Sequence, residues 1–166
     1  LKFTKPLGKK VFLYESCMTR RTQLTDSAKA LLEAIPGVEL VDPGEDQFLC
    51  CGGIANMTNP PLGQQLGNIM VEEILKIKAD YIANTCSFCR LTFYPYEKQF
   101  SFDVKDLATL VDESMGGRDY EDKLKIYWSC ESVDEIIEKS RENFEANGYK
   151  LEEMRHILPM IFHLPG

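Results

Sequence analysis

The chain has 166 residues, 44% of them hydrophobic and 27% charged, with a formal net charge of −7. That length supports one domain with a core, and the composition is ordinary for a soluble globular protein. The negative balance argues against a nucleic-acid-binding face, no apolar run reaches membrane-spanning length, and no secretory signal opens the chain. It starts on Leu1 rather than Met, as a fragment or a processed product would.

In chain order, "KKVFLYESC" reads as a strand, with Val11, Phe12, Leu13 and Tyr14 in a short apolar run that leads to Cys17. "TDSAKALLEAIPG" reads as a helix, capped by Thr25 or Asp26 and stopped by Pro36-Gly37. "VELVDPG" is a short strand closed by a turn, and "EDQFLCC" carries the chain to two adjacent cysteines. A long helix follows, with Asn59 as cap, Pro60 and Pro61 in its first turn, and Leu66, Ile69, Met70, Ile74 and Ile77 at helical spacing. "DYIANTC" is a third strand, ending at Cys86, and "SFCRLTFYPYEKQF" starts a helix that Pro95 breaks or kinks. "DVKDLATLVDESMGG" is read as one helix with Asp103 near its cap. "RDYEDK" is a charged linker, "LKIYWSC" a further strand, and "SVDEIIEKSRENFEANG" a helix capped by Ser132 with an apolar side of Val133, Ile136, Ile137 and Phe144.

Alternating strands and helices favour an α/β fold: a parallel-rich sheet with helices on both faces. The expected organisation is a cysteine-rich domain over residues 1–117 and a strand–helix extension over 118–166 packed on the same domain.

Six cysteines remain to be explained: Cys17, Cys50, Cys51, Cys86, Cys89 and Cys130. Without a secretory signal, metal or redox chemistry is a stronger reading than a disulfide scaffold. Cys17, the Cys50-Cys51 pair and Cys86 each close a strand or extended segment, and Cys89 opens the helix after Cys86. Open α/β sheets bind ligands outside the carboxyl ends of their strands, so these five sulfurs are expected at that edge. Thiolates at helix N-termini also gain from the local positive potential.

Successive side chains in an extended segment point to opposite faces, so Cys50 and Cys51 can serve one site only if the backbone turns there. Gly52 and Gly53 would permit that turn and a close approach to a bulky group. Structural zinc takes four ligands; five converging thiolates exceed that need and suit an iron–sulfur cluster. Two alternatives stay open. One is a structural zinc-binding interaction module; the other is a metal-free dithiol–disulfide domain using "CSFC", Cys86 and Cys89.

The pattern of Cys17, then "CCGG" at Cys50-Cys51, then "CSFC" at Cys86-Cys89 resembles the cysteine-rich CCG domain found in the B subunit of heterodisulfide reductase and its relatives. "KADYIANTCSFC" and "FDVKDLATLVDESMG" extend the resemblance, which covers residues 10–116. It implies a noncubane 4Fe–4S cluster held by the five cysteines, with Gly52 and Gly53 against it, and electron transfer to a disulfide or quinone-linked acceptor. Relatives include iron–sulfur subunits of glycolate, lactate and glycerol-3-phosphate oxidation and the E subunit of some succinate and fumarate reductases; certain copies bind zinc.

The chain departs from the family in carrying the motif once rather than twice. It also has Ser87 where many relatives have proline, and it lacks a ferredoxin-type cysteine run. A missing N-terminal half would account for the first and last of these. The implied partners are that domain or other subunits of a redox complex, with membrane association only through a partner and a cytoplasmic location. No G-x-G-x-x-G fingerprint is present, so electrons are expected to arrive through a partner.

Cys130 reads as a buried unligated thiol ahead of a sixth ligand or resolving thiol. His156 and His163 read as ordinary tail residues ahead of metal ligands. Arg20, Arg21 and Arg90 either offset the charge of a thiolate-bound cluster or are simply solvated. The apolar end, "MRHILPMIFHLPG", either packs on the core or docks a partner.

Overall fold

A computed structural model describes residues 1–41, 50–118, 120–162 and 164. The turn expected after Val41, the approach to Cys50 and His163 lie outside the described residues. The chain forms two compact units, Leu1–Tyr120 and Glu121–Gly166.

The first unit is built on four parallel strands: β1 (Lys9–Leu13), β2 (Val38–Val41), β3 (Tyr81–Asn84) and β4 (Asp103–Asp106). Their order across the sheet is β2-β1-β3-β4. Val11, Phe12 and Leu13 are all buried, as both faces of a parallel strand covered by helices must be. Val11, Leu13 and Ala83 face one side, where they pack with Ala28, Leu32, Ile35 and Leu110. The alternate residues Phe12, Ile82 and Val104 are equally buried on the other face.

The helices start where local chemistry dictates, beginning with α1 (Cys17–Arg21), whose cap Ser16 accepts from the Thr19 amide at 3.1 Å. Helix α2 (Thr25–Glu33) starts one residue earlier than expected: Leu24 holds the cap position without a side-chain bond, and Thr25 and Asp26 are already helical. Helix α3 (Gly53–Thr58) is followed directly by α4 (Pro60–Ile77), where Asn59 accepts from the Leu62 amide and proline opens the first turn, as anticipated. The buried face of α4 is Gly63, Gly67, Met70, Val71 and Ile74, whereas Ile69 is exposed. Glycine occupies position 63 because α3 lies on it: a Cβ at Gly63 would sit 2.5 Å from the Asn56 backbone. Helix α5 (Ser87–Glu97) runs only two residues past Pro95, which falls in its last turn.

The stretch read as one helix from Asp103 is a strand followed by a helix. Residues Asp103–Asp106 form β4, with Val104 buried opposite Ile82, and α6 (Leu107–Ser114) begins after Asp106, whose carboxylate accepts from the Ala108 amide at 2.9 Å.

The second unit is helical throughout its described elements: α7 (Lys123–Trp128), α8 (Val133–Ala146) and α9 (Leu151–Phe162). The strand expected at "LKIYWSC" is therefore a helix. Asp122 caps it, accepting from the Leu124 and Lys125 amides, and the unit offers no described strand to pair with. Ser132 caps α8, and Ile136 and Ile137 meet Cys130, Met154 and Leu158 in the unit's core. The apolar chain end is thus half committed: Met154 and Leu158 are buried, while Ile157 and Met160 are exposed.

Candidate cysteine site

The chain leaves β1 to form β2 on one side and returns to form β3 on the other, so β1 and β3 flank the point where the strand order reverses. A crevice opens there at the carboxyl ends of such strands. Cys17 is the first residue of the helix after β1, and Cys86 is the cap residue of the helix after β3. Because Leu13 and Ala83 are partners in parallel register, both cysteines stand at the same edge. A hydrogen bond of 2.6 Å between the Thr19 and Thr85 hydroxyls ties the two turns together.

The vicinal pair sits on a turn of the kind its glycines permit. Gly52 has φ +82, and the Gly52 and Gly53 amides donate to the sulfurs of Cys50 (3.4 Å) and Cys51 (3.5 Å). The turn separates the two thiols: Cys50 is exposed and Cys51 buried. The room the glycines give is taken by the protein itself. A Cβ at Gly52 would lie 2.2 Å from the Gly63 carbonyl oxygen, and one at Gly53 would press on Thr92 and Phe88 of α5.

The buried sulfurs of Cys51 and Cys89 are in contact at 3.3 Å. The hydrogen bond between the two thiols is the main reason the Cys51 thiol is lowered to about 6, against the opposing effect of burial. The Gly53 amide and the Thr92 and Tyr14 hydroxyls add to the stabilisation of a Cys51 thiolate. Cys89 is raised correspondingly, first by the same bond, then by burial and by the charges of Cys51 and Cys86. Tyr14 is raised by burial and by the surrounding Cys51, Cys89 and Cys50. The contact between Cys51 and Cys89 thus favours the thiolate at Cys51 and the protonated thiol at Cys89.

The five predicted cysteines thus share one edge, with Cys51 and Cys89 touching, Cys86 half-buried beside Cys89, and Cys50 and Cys17 exposed. Among the described residues, no three Cys, His, Asp or Glu side chains are grouped closely enough to hold a single metal ion. The donor set of five thiols fits a body larger than one ion better than a four-ligand zinc shell. Cys130 is buried in the core of the second unit with its thiol directed to the Ile126 carbonyl, and His156 is exposed on α9. Arg90 pairs with Asp106 at 3.7 Å, and Arg20 reaches the Glu15 carbonyl.

Tyr14, Thr92 and Asn84 belong to this site and are not apparent from motif spacing. Tyr14 was hidden inside an apolar run. Thr92 could have been found, since it lies one helical turn beyond Cys89.

A parallel α/β domain with cysteines after β1 and β3, at the strand-order reversal, is a cysteine-rich α/β domain. The chain belongs to the CCG cysteine-rich domain family, whose profile matches residues 11–94 and so spans Cys17 to Cys89. It is similar to the D subunit of the dihydromethanophenazine:CoB–CoM heterodisulfide reductase of Methanosarcina barkeri, at 28% identity over 123 residues, covering 70% of this chain and 30% of the relative. It is also similar to the B subunit of the fumarate reductase (CoM/CoB) of Methanothermobacter marburgensis, at 32% identity over 110 residues, covering 64% of this chain and 22% of the relative. The chain therefore spans less than a third of the length of either relative.

Proposed function

We propose that this domain holds an iron–sulfur cluster of the noncubane 4Fe–4S type through Cys17, Cys50, Cys51, Cys86 and Cys89, and passes electrons within a larger oxidoreductase. The observation that carries the reading is the placement of Cys17 and Cys86 at the same sheet edge, with the sulfurs of Cys51 and Cys89 in contact beside them. Gly52 and Gly53 serve it by setting the two sulfurs of the vicinal pair on one tight turn. When bound, the cluster supplies electron storage at a potential that hydrogen bonds to its sulfurs adjust. The chain's own part is to hold Cys51 ionised, to keep water from the buried Cys51 and Cys89, and to present the exposed Cys17 and Cys50 at the rim.

The similarity to components of reductase complexes supports partner subunits, or a further domain, as donor and acceptor. A disulfide acceptor accords with the name of the first relative, and a quinone-linked one is the other option. Among the described residues no helix is long and apolar enough to cross a membrane. The test is metal and sulfide analysis of protein purified and reconstituted without air. About four irons with matching sulfide per chain are expected; zinc alone, at one per chain, rejects the redox role.

A second reading has its own support in the 3.3 Å contact between Cys51 and Cys89. A dithiol–disulfide couple would form there, across α3 and α5, rather than within the Cys86–Cys89 motif as sequence suggests. Its oxidation releases two electrons and two protons to a disulfide acceptor and needs no metal. Activity in chelator-treated protein that survives Cys86→Ser identifies it.

A further inference from the structure

Asn84 ends β3 directly below the turn that carries Cys86, and its side chain is fully buried. Its Oδ1 accepts the Cys86 amide at 3.3 Å. Turning the amide over would set an NH2 group against that N–H, so the orientation is fixed. The Nδ2 end is then a committed donor, and among the described residues it has no acceptor. Native interiors rarely leave such a group unpaired, because it forfeits its bonds to water and gains none in return.

A second feature points the same way. Helix α5 is eleven residues long, and its cap residue, Cys86, makes no side-chain capping bond. The first-turn amides and the positive end of the helix are left for an anion. Asn84 is bonded to the Cys86 amide, Cys86 is the cap of α5 and Cys89 lies in its first turn, so the anionic acceptor that fits is a cysteine-bound sulfur rather than a phosphate or carboxylate oxygen.

We infer that the Asn84 side-chain amide donates a hydrogen bond to a thiolate or sulfide sulfur of the group bound by these cysteines, and so helps to set its potential and its retention. The inference rests on the proposed binding of a thiolate-held group. Asn84 acts as a positioning residue through sulfur. A purely structural role for Asn84, tying the strand to the turn through Oδ1, makes a different prediction.

The test uses Asn84→Ala and Asn84→Asp, reconstituted without air beside the wild-type chain. Loss of the donor should release metal to a chelator on the order of 10-fold faster and shift the midpoint potential to more negative values. Asn84→Asp keeps an oxygen for the Cys86 amide but turns lone pairs toward the sulfur, so it should be at least as impaired. Melting of each variant with and without metal separates the two roles: the inferred donor lowers the loaded protein more than the metal-free one. An equal drop in both states, or unchanged release rate and potential, overturns the inference. Wild-type protein that takes up zinc but no iron rejects the cluster reading alone. Asn84 is then decided by zinc release, which must still be faster in Asn84→Ala. Wild-type protein that retains neither metal rejects both.

Discussion

The sulfurs of Cys51 and Cys89 lie 3.3 Å apart between the turn before α3 and the first turn of α5, close enough to share one proton. The metal-free protein should therefore lose its first site proton well below the ordinary thiol range. Cys51 ionises at about 6, while Cys89 is held protonated above its usual value of 9.0. Thiolate absorbance of reduced, metal-free protein should rise in a step near that lower pH. Cys89→Ala removes the largest cause of the shift and should move the step up toward 9.0. A wild-type protein with no thiolate step below pH 8 rejects the shared-proton geometry.

Stability should follow the same linkage. Cys51 has a folded value of about 6 below its unfolded value of 9.0, so its contribution is complete above pH 9 and is lost as pH falls through about 6. Cys89 has a raised folded value, so its contribution is present below pH 9 and declines above it. The reduced, metal-free protein should thus gain melting temperature from pH 6 to 9 and lose it beyond, relative to a Cys51→Ser, Cys89→Ser double variant. Parallel curves for the two proteins would contradict this.

Gly52→Ala should be among the most damaging small substitutions in the first unit. The residue has φ +82, and the new Cβ would lie 2.2 Å from the Gly63 carbonyl, a backbone atom that cannot move without displacing α4. The expected loss is on the order of 3 kcal/mol, combining left-handed strain with the clash. Gly148→Ala is the control: φ is +74, but nothing lies within 4 Å, so only the strain, about 1–2 kcal/mol, should appear. Urea unfolding of both variants measures the difference, and equal losses would show that the approach to Gly63 is not tight.

The parts of the fold that sequence conveyed are those where one local signal suffices. Asn59 before two prolines, Ser132 before an acidic first turn, and the apolar run through Val11 each name their element unaided. What escaped depends on tertiary partners. Strand β4 contributes one core residue, Val104, and its helix-like polar letters make sense only beside Ile82 of β3. The letters of α7 suit a strand, and the absence of a described strand to pair with in its unit leaves the Asp122 cap to decide. The cysteine spacing pointed to the ends of β1 and β3 for Cys17 and Cys86, yet the contact of Cys51 with Cys89 follows from how the turn before α3 meets α5. Tyr14 and Asn84 were invisible because their roles lie in hydrogen bonds, which carry no periodicity.

Cys130→Ser should leave metal and sulfide content unchanged, since this thiol is buried with Ile136, Ile137, Met154 and Leu158 in the second unit. Replacing a small hydrophobe by a hydroxyl there should cost about 1 kcal/mol, read by denaturant unfolding. Any loss of iron in this variant would make Cys130 part of the site.

Single Cys→Ser variants at the five sheet-edge positions separate the readings of the site. A cluster held by all five predicts that Cys17→Ser and Cys50→Ser, though exposed, lower iron content or change the cluster spectrum as Cys51→Ser and Cys89→Ser do. A metal-free dithiol formed by Cys51 and Cys89, whose sulfurs lie 3.3 Å apart, predicts that Cys17, Cys50 and Cys86 are each dispensable. A zinc site predicts one silent position among the five. Cys86→Ser is the most telling member. Cys86 caps α5 without a side-chain capping bond, so its removal leaves the helix start intact. Iron lost in that variant while the fold persists places a ligand at Cys86, and iron retained there removes the five-cysteine cluster from consideration.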